Sequence, residues 1–577
     1  MRWREARSQR VDAPNTPALV VSRPVRARNP VAVLAALLTI ATAAPASAAL
    51  RVPGVPATVV LPHGAVAASA GSAARTWLVG VARPGPAAAR IARVHGARHV
   101  DGRAYLVSRD GARGFAAALR ARGLLAYAEA NRISTGAQEP PPPEPTPVPT
   151  PVPPPAPDPL MVVPQAGWRE AVVAGAVAPP VGPTSPLIAL VDSELDVTHP
   201  EVVGSNTASV GGRPLADFHG TATATVAAAP QNGVGIIGIW PNARALNLPL
   251  PGEISCADSA RRISEAVRLG AAVVNMSYGS SAACRTEYEA IQRAIARGVV
   301  PVAASGNEFS QGNPAEFPAS LPHVLTVAAT GPDDRATYFS NQGSAVDLSA
   351  PGEDVLAGVP TAFDPDGNPD GFALVSGTSF SAPMVSAAVA WVRAARPDLT
   401  ADQAAQVVRL GARDVGKPGW DASTGFGILN LPGALAHAAP VADPDEPNDD
   451  LEFVNGRVLG ARAKPIFTGA PTTLVGSLDR FEDPIDVYRI RVPARTTVQV
   501  RVRPAYGDPD LSVYTPAAAT VTRSRGLVAR SHRRGKRTDG LRIANTTNRA
   551  ETRFVVVAVD DGVQSLDAGY TLRIRRR

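Results

Sequence analysis

Apolar and polar positions change rhythm three times along this chain of 577 residues. Between about 74 and 132, short apolar runs at 76–81, 104–107 and 124–130 alternate with helical spacing at 87–94 and 115–122. Strand–helix–strand–helix–strand in so short a span predicts a small ferredoxin-like α/β unit. From 161 to about 439 the apolar runs become continuous, at 187–191, 271–275 and 299–304, and helical patterns separate them at 259–269, 286–297, 381–395 and 401–412. Runs without alternation belong to strands covered on both faces, so the expectation is a three-layer α/β domain around a mainly parallel sheet. Beyond 443 the period drops to two, at 487–492, 497–502, 511–514, 554–559 and 570–574. That alternation, with turns between, predicts a β-sandwich.

Composition marks the borders. Proline crowds into 140–159, an extended spacer with no core of its own. At the N-terminus, Arg23, Arg26 and Arg28 precede an apolar run at 31–43, and Ala46-Ser47-Ala48 follows as a small-residue cleavage site. The run is shorter than the roughly 20 residues of a membrane span, which favours a removed export signal over an anchor. The expected order is therefore a signal peptide (1–48), an α/β unit (49–137), a linker (138–160), the three-layer domain (161–440) and the sandwich (441–577), in a secreted protein without a membrane span after signal removal. The net charge of +7 is spread along the chain and forms no nucleic-acid-binding motif. The basic stretch 523–549 reads as a solvated loop.

Three segments carry candidate chemistry. The run 187–191 delivers Asp192 at the C-terminal end of a strand, where open parallel sheets gather their functional groups. His219 opens a small-residue helix in Phe218-His219-Gly220-Thr221, and Ser379 stands at a helix start in Ser376-Gly377-Thr378-Ser379. A serine hydroxyl attacks only if a base takes its proton, and the base must be oriented and stabilised as it charges. Acyl transfer also needs a donor for the oxyanion, which Asn307 after Ser305-Gly306 offers, although Gly-Asn is also ordinary turn chemistry.

With these motifs in this order, residues 161–439 resemble the subtilase family of serine peptidases. The resemblance implies Asp192, His219 and Ser379 as catalytic triad and Asn307 as oxyanion donor. It extends to Asn275-Met276-Ser277-Tyr278-Gly279, similar to the family's segment that pairs with extended substrate, and to Ala303-Ala304-Ser305-Gly306, similar to the opposite wall. Phe317-Pro318-Ala319-Ser320, Ser349-Ala350-Pro351-Gly352 and Thr424-Gly425-Phe426-Gly427 also fit. Ser277, Tyr278, Gly279, Ala304, Ser305 and Gly306 are thus implied to bind substrate. Glu316 falls where the family places a residue at the base of the first specificity pocket. A carboxylate there would attract Lys or Arg, with Tyr278 packing along the stem, whereas a Glu316 facing solvent would select nothing. Two departures stand out: Glu194 replaces a usual Gly after Asp-Ser, and Ala222 replaces a frequent second His.

The flanks resemble known companions. Residues 74–132 are similar to the family's inhibitory propeptide. The tail, through Asp445-Glu446-Pro447-Asn448-Asp449, Asp483-Pro484-Ile485-Asp486 and Gly507-Asp508-Pro509-Asp510, is similar to the bacterial pre-peptidase C-terminal domain. The implied partners are extended protein or peptide substrates and the chain's own propeptide-like unit. The chemistry requires no cofactor, no metal ligand set is assigned, and the acidic runs, as turns, do not establish structural calcium. Cys256 and Cys284, an even pair in an exported chain, favour one disulfide over two buried thiols. A catalytically silent binding or adhesive protein on the same fold is the alternative, supported by Glu194 and the sandwich. A lipase or esterase is disfavoured, since no Gly-x-Ser-x-Gly surrounds Ser379.

Overall fold

The computed structural model describes residues 75–136, 160, 167–212, 214–443, 445–479, 482–559 and 567–577. The expected signal segment and the proline-rich spacer lie outside the described residues. All described residues fall within one compact unit, Ser47–Arg577.

The first region runs β1 (Thr76–Val81), α1 (Pro86–Val94), β2 (Arg98–Asp101), β3 (Ala104–Ser108), α2 (Arg109–Arg120) and β4 (Leu125–Ala130). Its antiparallel sheet has the order β2-β3-β1-β4, and both helices pack on it around Phe115 and Leu119. The ferredoxin-like expectation holds with one strand added. Arg-His-Val-Asp in β2 is an exposed edge with no apolar alternation, so periodicity passed over it. A short strand, β5 (Ile133–Gly136), then leaves this sheet altogether.

The middle region contains α3 (Trp168–Val173), β6 (Leu187–Asp192), β7 (Thr207–Ser209), α4 (His219–Ala228), β8 (Ala245–Pro249), β9 (Ile254–Ser255) and α5 (Cys256–Arg268). It continues with β10 (Ala271–Met276), β11 (Tyr278–Gly279), α6 (Arg285–Ile295), β12 (Val300–Ala304), β13 (Leu325–Thr330) and β14 (Leu348–Pro351). A two-stranded ribbon of β15 (Val355–Gly358) and β16 (Phe372–Val375) precedes α7 (Thr378–Ala395), α8 (Ala401–Leu410) and α9 (Leu431–Ala436). Seven parallel strands form the sheet, in the order β14-β13-β12-β10-β6-β8-β7. Alternate residues of β6 serve different cores: Ile188 and Leu190 face α4 and α7, while Ala189 and Val191 face α5 and α6. This two-sided burial is why the sequence shows an unbroken apolar run there.

The last region begins with α10 (Leu451–Val454) and has strands β17 (Thr472–Asp479), β18 (Ile485–Val492), β19 (Thr496–Tyr506), β20 (Pro509–Tyr514), β21 (Leu527–Ser531), β22 (Asp539–Asn545), β23 (Glu551–Val559) and β24 (Asp567–Arg576). They form two antiparallel sheets, β17-β24-β19-β22 and β18-β23-β20-β21, the expected sandwich. The basic stretch 523–549 is not simply a loop, since it holds β21 and β22. In β22, Leu541 and Ile543 turn inward while Arg542 stays exposed, so the arginines sit on the wet face of a strand. Among the described residues no helix is long and apolar enough to cross a membrane.

Candidate active site

The candidate residues gather at the C-terminal ends of the central strands, Asp192 at the end of β6, Ser277 after β10 and Asn307 after β12. Strand β6 ends on Asp192, whose Oδ1 accepts from His219 Nδ1 at 2.6 Å and from the Ser193 amide at 2.7 Å. Its Oδ2 accepts from the Thr223 hydroxyl at 3.0 Å, one turn along α4 from His219. Both the Asp192 and His219 side chains are buried. Burial alone lowers the imidazole pKa. The charge and hydrogen bond of Asp192, with Asp217 nearby, outweigh it, so His219 titrates above the usual 6.5. His219 Nε2 is buried without a hydrogen-bond partner among the described residues.

The start of α4 is fixed by residues the sequence did not single out. Asp217 accepts from the His219 amide at 3.0 Å and from the Ser193 hydroxyl at 2.5 Å, and Ser193 Oγ accepts from the Gly220 amide at 2.8 Å. A side chain at Gly220 would meet the Ser193 carbonyl at 2.4 Å, so only glycine lets α4 approach the end of β6. Glu194, the departure from the family pattern, keeps φ outside the left-handed region. Its buried carboxylate accepts from Ser209 Oγ at 2.9 Å. The substitution is accommodated without backbone strain.

Ser379 is the second residue of α7, after Gly377 with φ 147°. Its Oγ donates to the Ser277 carbonyl at 3.3 Å, and Ser277 Oγ donates to the Ser379 carbonyl at 2.8 Å, tying β10–β11 to the helix start. The rings of His219 and Phe380 lie 5.5 Å apart, so the starts of α4 and α7 pack against each other. Asn307 Oδ1 accepts from the Thr378 amide at 3.0 Å and its hydroxyl at 2.9 Å. That pairing fixes the carboxamide against the residue before Ser379. Nothing in the sequence assigns Thr378 or Thr223 a role, because a lone threonine carries no spacing signal.

The segment expected to pair with substrate forms the short strand β11. Strand β5 pairs antiparallel with β11, Gly136 opposite Tyr278 and Thr135 opposite Gly279, and on its other edge with β9. The Tyr278 side chain is not a pocket wall. It is buried between α5 and α6, its phenol bonded to Ser259 at 2.8 Å and to Glu287 at 3.2 Å, because period two sends it away from the cleft. Ala304 is buried, Ser305 Oγ donates to the Asn341 carbonyl at 3.2 Å, and Gly306 has φ 105°. The Glu316 side chain lies between the two walls: a Cβ at Gly279 would come 2.7 Å from its Oε2, and one at Gly306 2.7 Å from its Cγ. It is 7 % exposed, which removes the solvent-facing reading. Burial, with help from the Glu308 charge, raises its pKa to about 8.

The disulfide expectation is corrected. Cys256 and Cys284 are both free and buried, neighbours at the starts of α5 and α6, packed with Leu78 of β1. Burial raises both thiol pKa values. They are small apolar fillers beneath the first region.

A second cluster gathers where the middle region meets the sandwich. His323 Nε2 lies 3.0 Å from Asp449 Oδ1 and 3.6 Å from Glu446 Oε2, with Asp483 close by, and Asp443, Asp483 and Asp486 form an overlapping set. Asp449 Oδ2, Asp483 Oδ1 and Asp443 Oδ1 are buried without hydrogen-bond partners among the described residues. Burial and mutual repulsion raise Asp443 to about 9 and push Glu446 and Asp483 well up.

A sequence profile of the subtilase family matches residues 184–427. A probable subtilase-type serine protease of Deinococcus radiodurans is 32% identical over 230 residues, 37% of this chain and 31% of that protein. Fervidolysin of Fervidobacterium pennivorans is 30% identical over 330 residues, 51% and 46% of the two chains. Subtilisin Savinase of Lederbergia lenta is 30% identical over 217 residues, 36% of this chain and 77% of its own. The chain spans about a third to a half of the first two relatives. The crystal structure of fervidolysin, described as a keratinolytic enzyme related to subtilisin, superposes with TM-score 0.51 at 19% identity, covering 81% of this chain and 84% of that one. It shares the fold. On the profile match and the coverage of Savinase, this chain belongs to the subtilase family.

Proposed function

We propose that the chain is a secreted serine endopeptidase that cuts extended polypeptide through an acyl-enzyme on Ser379. The observation that carries this reading is the 2.6 Å contact of Asp192 with His219 Nδ1, which leaves Nε2 as the base. His219 takes the Ser379 proton as the hydroxyl attacks the carbonyl. Asp192 keeps the tautomer and stabilises the imidazolium. Asn307 donates its NH2 to the oxyanion, and the positive end of α7 adds to the same field. His219 then protonates the leaving amine, and water repeats the sequence on the ester. The first test is a fluorophosphonate probe on purified protein. Labelling that is lost in Ser379→Ala is expected, and equal labelling of both proteins rejects the assignment.

Residues 76–136 act as inhibitory propeptide in this reading. Strand β5 occupies the edge of β11 that an extended substrate would use, and its direction carries the chain toward Ser277 and Ser379. Glu129 accepts from the Arg285 and Thr286 amides at the start of α6, and Asn131 accepts from the Ala257 amide at the start of α5. Cleavage downstream of Gly136 frees the strip. N-terminal sequencing of the active species is expected to begin beyond that residue. An active species that retains residues 76–136 at its N-terminus overturns the reading. At the pocket base, Glu316 selects Lys or Arg before the scissile bond.

The sandwich is read as a pre-peptidase C-terminal domain, and its junction as a calcium site. Glu446, Asp449 and Asp483, with Asp443 and Asp486 in the overlapping set, present hard oxygen ligands, and the three buried oxygens on Asp443, Asp449 and Asp483 have no donor among the described residues. The His323 ring suits a partner that orients Asp449. Chelator is expected to lower Tm and added calcium to restore it. A Tm indifferent to both rejects the site.

A further inference from the structure

The surface that receives the propeptide-like unit is composite. Arg103, at the turn between β2 and β3, donates from Nε and Nη2 to Glu289 of α6 at 2.6–3.1 Å. Its Nη2 also donates to Glu452 Oε2 at 2.9 Å. Glu452 belongs to α10, in the C-terminal region. Arg285 of α6 closes the figure, donating to Glu289 at 2.8 Å and to Glu452 Oε1. Two guanidiniums and two carboxylates therefore alternate in a ring drawn from three regions of the chain. Burial acts against the charge on Glu289, yet Arg103 and Arg285 hold its pKa down to about 2.

Helix α10 is held firmly enough to place Glu452. Phe453 packs into the core beneath α5 and α6, with its ring 5.9 Å from Tyr288, whereas Leu451 and Val454 pack into the sandwich. Its position thus depends on both neighbours, and its carboxylate is presented to the propeptide-like unit by the C-terminal region.

We propose that the C-terminal region retains the propeptide-like unit on the peptidase, through Glu452 acting on Arg103. This deepens the inhibitory reading above and rests on it for its consequence, the lifetime of the inhibited state. The physical reason is charge balance. With Arg103 in place the ring is neutral. When the unit departs, Glu289 and Glu452 are left to share Arg285, an excess negative charge that Arg103 balances while the ring is assembled and shielded from water. Without Glu452, Arg103 loses one of its two acceptors and holds less strongly.

The test uses the full chain carrying Ser379→Ala, so that it cannot cut itself, with a recognition sequence for a foreign site-specific protease placed within residues 140–159. After that cut, size-exclusion chromatography follows the rate at which the N-terminal fragment leaves. Glu452→Gln is expected to speed departure on the order of 10-fold, and Arg103→Met at least as much. With Arg103→Met present, Glu452→Gln is expected to add nothing. An unchanged rate in Glu452→Gln overturns the proposal. So does an equal acceleration with and without Arg103, which would mean general loosening. If Glu452→Gln does not fold, Glu452→Asp is read by the same criteria. In the Ser379 chain, a retained fragment that leaves peptide cleavage unimpeded sinks the inhibitory reading alone and leaves these rates standing.

Discussion

The cleft has two ends, each built around a buried carboxylate, and they are built in opposite ways. At one end Asp192 accepts from the His219 ring, the Ser193 amide and the Thr223 hydroxyl. At the other, the Glu316 carboxyl has no donor among the described residues, and burial with the Glu308 charge raises its pKa to about 8. A carboxylate surrounded by donors is fixed in place and orients a partner. One left without donors stays protonated near neutrality until a cation arrives to pair with it. The difference teaches that burial alone does not define a carboxylate's role. The supply of hydrogen-bond donors does.

The largest expected effect breaks the first end. Asp192→Asn keeps the shape but loses the charge and reverses the tautomer preference, so kcat should fall by roughly 10⁴-fold. The acid limb of whatever activity remains should move to lower pH, because Asp192 is what lifts His219 against its burial. A loss of only a few fold removes Asp192 from the mechanism. Next in size, Asn307→Ala should lower kcat by about 10²–10³-fold with KM nearly unchanged, since the oxyanion forms only on the way to the ester. A change confined to KM assigns Asn307 to substrate binding instead.

The second end is tested by preference rather than by rate. In peptides differing only before the scissile bond, wild type should favour Lys or Arg over Leu, and Glu316→Gln should cut that ratio by at least about 10-fold. If wild type prefers Leu or Phe, or the ratio is unmoved, Glu316 does not set specificity. The smallest effect is in the pH profile. On a Leu peptide kcat/KM should rise once, as His219 loses its proton above 6.5. On a Lys peptide it should rise again toward about 8, as Glu316 ionises, and Glu316→Gln should abolish this second rise only. Superimposable profiles for the two peptides contradict the assignment.

The arrangement of the fold was legible where one rhythm covered a whole element. The run 187–191 became β6 because both of its faces are covered, and 381–395 extended back to Thr378 as α7. β2 and the strands inside 523–549 were not legible, because arginine and histidine on a wet edge or face mask the alternation. In the site, Asp192, His219, Ser379 and Asn307 could be picked out because each ends or begins a patterned element. Asp217, Thr223 and Thr378, which hold them in place, have no such marker.

By itself the sequence determined the covered strands and singled out Asp192, His219, Ser379 and Asn307 as candidates. These are local facts of spacing and residue type. Tertiary structure decided matters that depend on neighbours far apart in the chain. It turned Tyr278 into the core, set Glu316 between Gly279 and Gly306, and kept Cys256 and Cys284 as separate thiols under β1. It also brought Arg103, Glu289 and Glu452 into one ring, although 186 and 349 positions separate the first from the other two. The charge state of a buried group is set by which donors and charges surround it, and only the folded chain chooses those.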